Sequence, residues 1–465
     1  MSSVSNPSFG DLAREASLQP QEKLVRLTDS MKALSIGIPK ETTYQENRVP
    51  LSPMAVQLLV QQGHLIQLES GCGEKANFSD LDYSTAGAEI LEKKELIYQN
   101  DIILKIAPPT SEEIDLMKSN QVLISALQMV RSKESMIKQL ISKNITAIGY
   151  ELLRDDEGSL PIMRSMSEIA GRSSILIAAE YLSNFNAGKG ELFGGIPGIQ
   201  PTKVVIIGAG AVGEYAAQAA LGLGASVKIF DNNINKLRRI ERNLGSRISS
   251  STIIPKTLAK SISECDVAIG ALRSPLGFSP CIVSEEMVAQ MRYQSIIIDV
   301  SIDQGGCFET SKPTDHQNPV FEKHDVLHYC VPNLPSRYSR TASYALSNIF
   351  THLISSISSN GGFETYLKSH EGLRAGTYLY KGKLTNRIIA NRFNLSCSEI
   401  EFLLAGINIG LVFFVFFDLF FFCHYWALYF TLTMHTVLEC EIEESATLPP
   451  IHTHVFVFLI AVEAH

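Results

Sequence analysis

The chain has 465 residues, enough for two domains, and its 45% hydrophobic and 19% charged residues are ordinary for a globular enzyme. Its formal net charge of −8 comes without any basic run, so the composition argues against a nucleic-acid partner. The 8 cysteines contain no CxxC pair and no metal-ligand spacing, which indicates reduced thiols in a cytoplasmic protein and no metal site.

Strand-like and helix-like segments alternate along the first part of the chain. Residues 1–30 form a polar lead-in without the apolar core of a signal peptide. The alternation that follows is typical of α/β domains with parallel sheets, and we interpret residues 31–160 as the first part of such a domain. The predicted strands are 34–38, 65–69, 102–106, 122–125 and 145–148, and the predicted helices are 54–62, 111–119 and 133–142.

The most informative motif is a glycine-rich turn between an apolar strand at 204–207 and a helix predicted at 211–223. Gly208 permits the tight turn, Gly210 lets the backbone approach a pyrophosphate, and Gly213 lets the helix pack on the strand. The amino terminus of the helix offers N–H groups and a positive dipole to phosphates. The motif therefore predicts a dinucleotide site.

An acidic residue, Asp231, closes the next predicted strand at 226–230. A carboxylate at this place accepts hydrogen bonds from the adenosine ribose hydroxyls and repels a 2′-phosphate, which favours NAD over NADP. Further strands are predicted at 267–270 and 295–299. We interpret residues 161–339 as a Rossmann-type, doubly wound NAD-binding domain.

The helical stretch at 340–356 is predicted to return to the first unit. Residues 340–406 would then complete a discontinuous α/β substrate domain. Two such domains leave a cleft at the carboxyl ends of the nucleotide-domain strands, where ligands bind in folds of this class.

Three charged residues at predicted strand ends or in loops are candidates for chemistry in that cleft. Asp303 follows an apolar strand and is either an acid/base group or a turn aspartate before two glycines. Lys105 ends the apolar run from Asp101 and could face a substrate carboxylate or carbonyl, or be a snorkelling structural lysine. Arg48 could clamp a carboxylate with two hydrogen bonds, or be a surface salt-bridge partner.

The chain resembles the alanine dehydrogenase family, which is related to the nucleotide-binding component of proton-translocating nicotinamide nucleotide transhydrogenase. The resemblance runs from about Ile36 to about Gly406. It rests, besides the glycine motif, on the stretches Gly37-Ile-Pro-Lys-Glu41, Glu46-Asn-Arg48, Gly71-Cys-Gly-Glu74, Phe78-Ser-Asp80, Met166-Ser-Glu-Ile-Ala-Gly171, Asp303-Gln-Gly-Gly-Cys-Phe-Glu309 and His328-Tyr-Cys-Val-Pro-Asn333.

The resemblance implies roles for individual residues. Arg48 and Lys105 would hold the carboxylate and carbonyl of pyruvate, and Asp303 would take part in proton transfer. The residues implied to line the nucleotide site are Ser167, Asp231 and Asn333.

One residue departs from the family pattern inside the implied site. Typical members carry a histidine, as acid/base and substrate ligand, on the loop after the strand that ends here at Ser125, whereas this chain has Gln128. No histidine occurs between His64 and His316. Glutamine can hydrogen-bond a carbonyl but cannot move a proton at neutral pH, so proton transfer would pass to Asp303, Lys105 or water.

The sequence therefore predicts a cytoplasmic, NAD-dependent amino-acid dehydrogenase that converts L-alanine and water reversibly to pyruvate and ammonia, and a homo-oligomer is expected. Two alternatives stay open. One is a transhydrogenase nucleotide-binding component, and the other is a catalytically weak NAD-binding protein, which Gln128 would permit. The sequence does not fix the amino acid or the number of subunits.

The carboxyl end, residues 407–465, differs from the rest of the chain. Residues 401–465 hold 14 of the 38 aromatic residues and no lysine or arginine. Residues 407–434 are almost continuously apolar and long enough to span a bilayer, although Asp418 near the middle opposes insertion. Three interpretations are a membrane anchor, a shifted reading frame or other spurious extension, and an oligomerisation segment. In each case we expect the catalytic unit to close before Ile407.

Overall fold

The computed structural model describes residues 31–128, 131–186, 188–245, 247–274 and 277–405. The α-helices in these ranges are α1 (Pro53–Gln61), α2 (Asp80–Thr85), α3 (Lys94–Ile97), α4 (Ser111–Leu116), α5 (Glu134–Ser142), α6 (Pro161–Tyr181), α7 (Ala211–Gly222), α8 (Ile234–Leu244), α9 (Pro255–Glu264), α10 (Glu285–Ala289), α11 (Ser339–Ser359), α12 (Phe363–Ser369), α13 (Glu371–Ala375), α14 (Arg387–Phe393) and α15 (Ile400–Leu404).

The strands are short, and they form two sheets. They are β1 (Ser35–Ile38), β2 (Leu65–Glu69), β3 (Glu89–Leu91), β4 (Ile102–Leu104), β5 (Val122–Ser125), β6 (Thr146–Gly149), β7 (Lys203–Ile207), β8 (Ser226–Phe230), β9 (Ser249–Ser251), β10 (Val267–Gly270), β11 (Ile296–Asp299), β12 (Val320–Lys323), β13 (Val326–Tyr329), β14 (Thr377–Tyr380) and β15 (Lys383–Leu384).

The first sheet has the order β3-β2-β1-β4-β5-β6-β14-β15. Its strands are parallel from β3 to β6, whereas β14 runs antiparallel to both β6 and β15. Every residue of β4 and β6 is buried, as expected for parallel strands covered on both faces. The order reverses beside β1, so the loop after β1 opens at a topological switch point.

The second sheet has the order β12-β13-β11-β10-β7-β8-β9 and is parallel except for the edge pair β12 and β13. The order reverses beside β7, the strand that leads into the glycine motif. Both sheets are thus doubly wound, and the predicted mixed α/β fold with a Rossmann-type unit is confirmed.

The chain returns to the first sheet near its end, as the sequence predicted. Helix α11 packs against α1 and α6, and β14 then adds to the first sheet beside β6. The first domain is therefore discontinuous. The boundaries proposed for the two domains, at 160 and 339, stay predictions.

The long helix α6 was not predicted. It starts at a proline in its first turn and is buried on several sides, with Ser173 and Ser174 among its buried residues, so its sequence shows no clear apolar stripe. A Cβ atom at Gly171 would lie 2.4 Å from the Val212 carbonyl oxygen. Glycine at this position therefore allows α6 to cross α7 closely.

The described residues up to Ser398 form one compact unit, and α15 belongs to a second. Within the described ranges no helix is both long and apolar enough to cross a membrane. The apolar segment at 407–434, and with it the three interpretations of the tail, lies outside the described residues.

Candidate active site

The predicted site residues follow the carboxyl ends of strands in both sheets. Arg48 lies in the loop after β1, Lys105 directly follows β4, and Gln128 lies in the loop after β5. In the second sheet, Asp231 directly follows β8 and Asp303 lies in the 3-10 turn after β11. Parallel strands bring such residues to one edge of each sheet, where open α/β folds bind ligands.

The glycine motif has the geometry of a phosphate-binding turn. Gly208 has a φ of +114°, which favours glycine, and a Cβ at Gly213 would lie 1.9 Å from the Gly208 carbonyl oxygen. A Cβ at Gly210 would meet no atom within 4 Å, so this part of the backbone faces open space. The two close contacts fix the turn, and the open side leaves room for a pyrophosphate.

A cavity of about 170 Å³ lies against this turn. Gly208, Gly210 and Asp231 line it, together with two cations, Lys236 and Arg273, which the sequence analysis did not single out. Cationic side chains beside the amino terminus of α7 suit the phosphates of a dinucleotide. The residues present therefore fit a nicotinamide dinucleotide.

Asp231 is buried and held by the backbone beside the turn. Its Oδ2 accepts a hydrogen bond of 2.8 Å from the Ala209 N–H, and its Oδ1 accepts one of 2.7 Å from the Asn233 N–H. The Lys236 Nζ lies 3.9 Å from Oδ2. The carboxylate is thus fixed at the cavity wall, where the sequence placed the ribose contact.

Arg48 is buried and its guanidinium is held by Glu46. The Nε and Nη2 groups donate hydrogen bonds of 2.7 and 2.6 Å to the two carboxylate oxygens of Glu46, and Nη1 lies 3.3 Å from the Met166 sulfur. Burial alone would raise the pKa of Glu46, but the charge and hydrogen bonds of Arg48 outweigh it and lower that pKa. The pair therefore stays ionised and the guanidinium keeps one orientation.

Asn333 connects this pair to Asp303. Its Nδ2 donates a hydrogen bond of 2.9 Å to Glu46 Oε2, and its backbone N–H donates one of 3.1 Å to Asp303 Oδ1. Asn333 has a left-handed φ of 56°, a conformation that asparagine tolerates better than most residues. A continuous series of contacts thus joins Arg48 in the first domain to Asp303 in the second.

The Asp303 side chain is exposed to solvent, but other protein groups surround it closely enough to desolvate its carboxyl in part. Desolvation by these groups raises the pKa of the Asp303 carboxyl. The Asn333 hydrogen bond and the charges of Arg131 and Arg48 lower it, but only in part. An aspartate with a raised pKa is a better proton acceptor than an ordinary one.

Lys105 is fully buried between two carboxylates. Its Nζ lies 3.2 Å from Glu41 Oε2 and 3.2 Å from Glu113 Oε2. Burial raises the pKa of Glu41. The charge of Lys105 and the hydrogen bond from the Ile106 N–H lower this pKa, but they offset the desolvation only in part. Lys105 is therefore a buried, paired lysine and not a snorkelling one.

A half-buried glutamate, Glu151, anchors the start of the turn at Gln128. The Gln128 backbone N–H donates a hydrogen bond of 2.8 Å to Glu151 Oε1, which also accepts one of 2.7 Å from the Tyr378 hydroxyl. The Gln128 φ is 48°, and its carbonyl accepts N–H bonds of 2.8 Å from both Arg131 and Ser132. The Gln128 side chain is exposed at this turn.

Ser167 is half-buried on α6, next to Met166, which contacts Arg48. Four glutamates that hold the site, Glu41, Glu46, Glu113 and Glu151, had no predicted role. Two of them, Glu41 and Glu46, stand in the stretches that carry the family resemblance, and Glu113 closes a capping box with Thr110, a readable local signal. Glu151 has no comparable signal.

Two family descriptions match the chain, alanine dehydrogenase/PNT N-terminal domain over residues 37–170 and alanine dehydrogenase/PNT C-terminal domain over residues 174–387. Alanine dehydrogenase 2 of Staphylococcus aureus (strain USA300) is 38% identical over 369 residues, which cover 79% of this chain and 99% of that protein. The chain belongs to the alanine dehydrogenase family.

Solved structures agree with this assignment. An L-alanine dehydrogenase matches with a TM-score of 0.72 and 37% identity, covering 77% of this chain and 99% of that one. A transhydrogenase from Sinorhizobium meliloti matches with a TM-score of 0.64 and 22% identity, over 75% of this chain and 98% of that one, and shares the fold. The protein is thus an amino-acid dehydrogenase, an oxidoreductase of a family that is generally NAD-dependent.

Proposed function

We propose that this dehydrogenase catalyses the reversible, NAD-dependent oxidative deamination of L-alanine to pyruvate and ammonia. The observation that carries the proposal is the series of contacts from Arg48 through Glu46 and Asn333 to Asp303. It joins the proposed carboxylate-binding group of the first domain to the proposed proton acceptor of the second domain, whose sheet also carries the glycine turn.

Substrate binding would fall to the two cations of the first domain. Arg48 would bind the substrate carboxylate through the N–H groups that Glu46 leaves free, and Glu46 would keep the guanidinium in place. Lys105, held by Glu41 and Glu113, would direct positive charge at the carbonyl oxygen of pyruvate. Gln128 would donate a hydrogen bond to the same oxygen.

Proton transfer would fall to Asp303, whose raised pKa suits a base. After the α-carbon hydride has left, its carboxylate would take a proton from the water molecule that adds to the imine carbon and would pass it to the nitrogen, which leaves as ammonia and gives pyruvate. In pyruvate reduction the same group would protonate the hydroxyl that leaves as water. The Gln128 amide cannot accept or donate a proton in this step at neutral pH.

The cofactor assignment rests on the cavity at the glycine turn. Gly208, Gly210 and Gly213 would shape the pyrophosphate site, Asp231 would bind the adenosine ribose, and Ser167 and Asn333 would line the site. When bound, NAD supplies the acceptor for the hydride of the substrate α-carbon. We extend the proposal to a cytoplasmic homo-oligomer.

An absorbance assay of the purified full chain with pyruvate, ammonium and NADH tests the proposal. We expect loss of the reduced nicotinamide absorbance that requires both pyruvate and ammonium. NADH binding without turnover would instead indicate a catalytically weak NAD-binding protein. A transhydrogenase component would instead exchange hydride between NADH and an NADP analogue when a partner protein is present. It would not reduce pyruvate.

A further inference from the structure

Arg131 reaches from the first domain to the loop that carries Asp303. It lies on the turn that begins at Gln128, whose carbonyl accepts the Arg131 N–H at 2.8 Å. Its Nη2 donates a hydrogen bond of 3.4 Å to the carbonyl oxygen of Ile302, the residue directly before Asp303. One side chain thus connects the loop after β5 to the loop after β11.

The charge of Arg131 is not neutralised by an ion pair with any residue in the described ranges. This separates it from the two cations that we propose bind the substrate, Arg48 and Lys105. Glu46 binds Arg48 in a fork, and Glu41 and Glu113 bind Lys105. Arg131 therefore brings a positive charge that no described carboxylate pairs with to the loop that carries Asp303.

Few groups act on the Asp303 carboxylate from the elements around it. Asn333 donates its backbone N–H, and the charges of Arg131, on the loop after β5, and of Arg48, on the loop after β1, lower the pKa of the carboxyl. Glu46 lies behind Arg48 and Asn333 and balances the Arg48 charge. Gln128 adds no charge. Arg131 thus contacts the residue before Asp303 and, unlike Arg48, has no ion pair with a described carboxylate.

We propose that Arg131 is a positioning residue that fixes the Asp303 loop and holds the Asp303 carboxylate in its ionised form. An ionised Asp303 can accept a proton, whereas a protonated one cannot. The role in catalysis rests on the function proposed above. The interaction between the two side chains does not, so it can be tested separately.

The first test is a double-mutant cycle on protein stability, without substrate or cofactor. Melting temperatures of the full chain, of Arg131→Gln, of Asp303→Asn and of the double variant are compared from pH 8 down to the lowest pH with a single unfolding transition. At pH 8 the shifts should be non-additive, because each single variant loses the same charge interaction. The non-additivity should shrink as Asp303 becomes protonated at lower pH.

Two variants control this cycle. Arg131→Lys keeps the charge and should retain the non-additivity. Arg247→Gln removes a charge from a side chain that is 94% exposed, and its shifts should add to those of Asp303→Asn at every pH. Additive shifts for Arg131→Gln at pH 8, or a non-additivity that does not change with pH, would overturn the proposal.

The second test is the pH profile of kcat/KM for pyruvate reduction. Arg131→Gln should move the acid limb upward by roughly half a unit to one unit, because loss of a nearby positive charge raises the pKa of a carboxyl. Arg247→Gln should leave that limb in place. An acid limb unchanged by Arg131→Gln would contradict the proposal, whereas absence of pyruvate reduction in the unmodified protein would contradict only the proposed function.

Discussion

Single residues of the proposed site work in charge pairs. Both cations proposed to bind the substrate, Arg48 and Lys105, are buried and paired, and an unpaired buried charge would cost several kcal/mol. The carboxylates of Glu46 and Glu41 thereby hold the cations in fixed positions. Pairing of this kind pre-organises a site before the substrate enters.

Arg48→Lys and Asp303→Asn should affect different kinetic constants. Lysine keeps the charge but loses the planar fork, so we expect the pyruvate KM to rise by roughly tenfold. Asparagine removes the base at nearly constant volume, so kcat should fall by about 10²-fold or more. Steady-state kinetics of pyruvate reduction measure both effects.

The exposed Arg247→Lys variant is the control for these substitutions and should change neither constant. Melting temperatures separate loss of folding from loss of function. If kcat of Asp303→Asn stays within a factor of about two of the unmodified enzyme, Asp303 has no part in proton transfer.

Asp231 should set the preference between the two nicotinamide cofactors. Asp231→Asn removes the negative charge but keeps an oxygen for the Ala209 N–H, so the glycine turn should persist. We expect NADH to be strongly preferred by the unmodified protein and the preference to narrow by roughly tenfold in the variant. Fluorescence titration with NADH and NADPH measures this, with the exposed Asp101→Asn as control. Equal affinities of the unmodified protein for NADH and NADPH would show that Asp231 does not bind the ribose.

At the scale of elements, two glycines of the turn between β7 and α7 should have different roles. Gly213 allows close packing, whereas Gly210 leaves room for the cofactor. Gly213→Ala places a Cβ 1.9 Å from a backbone oxygen and should destabilise the fold by about 3 kcal/mol. Gly210→Ala meets no atom and should leave stability unchanged, while its methyl group weakens NADH binding by roughly tenfold. Chemical denaturation and NADH titration measure the two effects.

Gly222, in the same helix, provides the matched control. A Cβ there also meets no atom within 4 Å. Gly222→Ala should stabilise the protein by about 0.5–1 kcal/mol and leave NADH affinity unchanged. Unaltered NADH affinity in Gly210→Ala would show that the pyrophosphate does not approach this turn.

Strand β13, between β12 and β11, carries a buried histidine, His328, that should make stability depend on pH. Burial lowers the pKa of His328 from 6.5 to about 4, and its ring bonds the Thr310 hydroxyl and the Val326 carbonyl. The pKa of His328 is lower in the folded protein than in the unfolded one. Its contribution to the free energy of unfolding is therefore fully present above pH 6.5 and is lost as the pH falls towards 4. Linkage gives a loss of about 2 kcal/mol between pH 7 and pH 5.

Urea unfolding at both pH values checks this prediction, with His328→Gln as the comparison. The variant should be less stable than the unmodified protein at pH 7, and its stability should change less between the two pH values. An equal change in both proteins would show that other groups cause the pH dependence.

At the scale of the whole molecule, the catalytic unit should be complete without the apolar carboxyl end. The compact unit extends to Ser398, and the family match ends at residue 387. A chain that ends at Gly406 should therefore stay soluble, bind NADH with unchanged affinity and keep the activity of the full chain. Circular dichroism, NADH titration and the pyruvate assay measure this.

A shorter chain that ends at Gly376 is the control for this truncation. It removes β14, whose residues Thr377–Tyr380 are all buried beside β6, so we expect it not to fold. Loss of folding or NADH binding already at Gly406 would show that the carboxyl end is part of the enzyme.

Local sequence patterns determined a large part of this protein. The alternation of short apolar runs and helical segments predicted the α/β fold, and the glycine spacing with Asp231 predicted the dinucleotide site. Lys105 and Asp303 could be selected because polar residues just after apolar strands lie at a binding edge in parallel sheets, and Arg48 because a guanidinium can clamp a carboxylate. These signals are readable because each involves residues close together in the chain.

Only the tertiary structure decided which groups act together. The Asn333 contact with Glu46 spans 287 positions, and the Lys105 contact with Glu41 spans 64. Periodicity within one element carries no information about such distant partners. The ion pairs of Arg48 and Lys105 and the hydrogen bond from Arg131 to Ile302 therefore could not be predicted. Desolvation by groups from distant parts of the chain likewise raises the pKa of Asp303, because desolvation depends on everything that surrounds a carboxyl group in space.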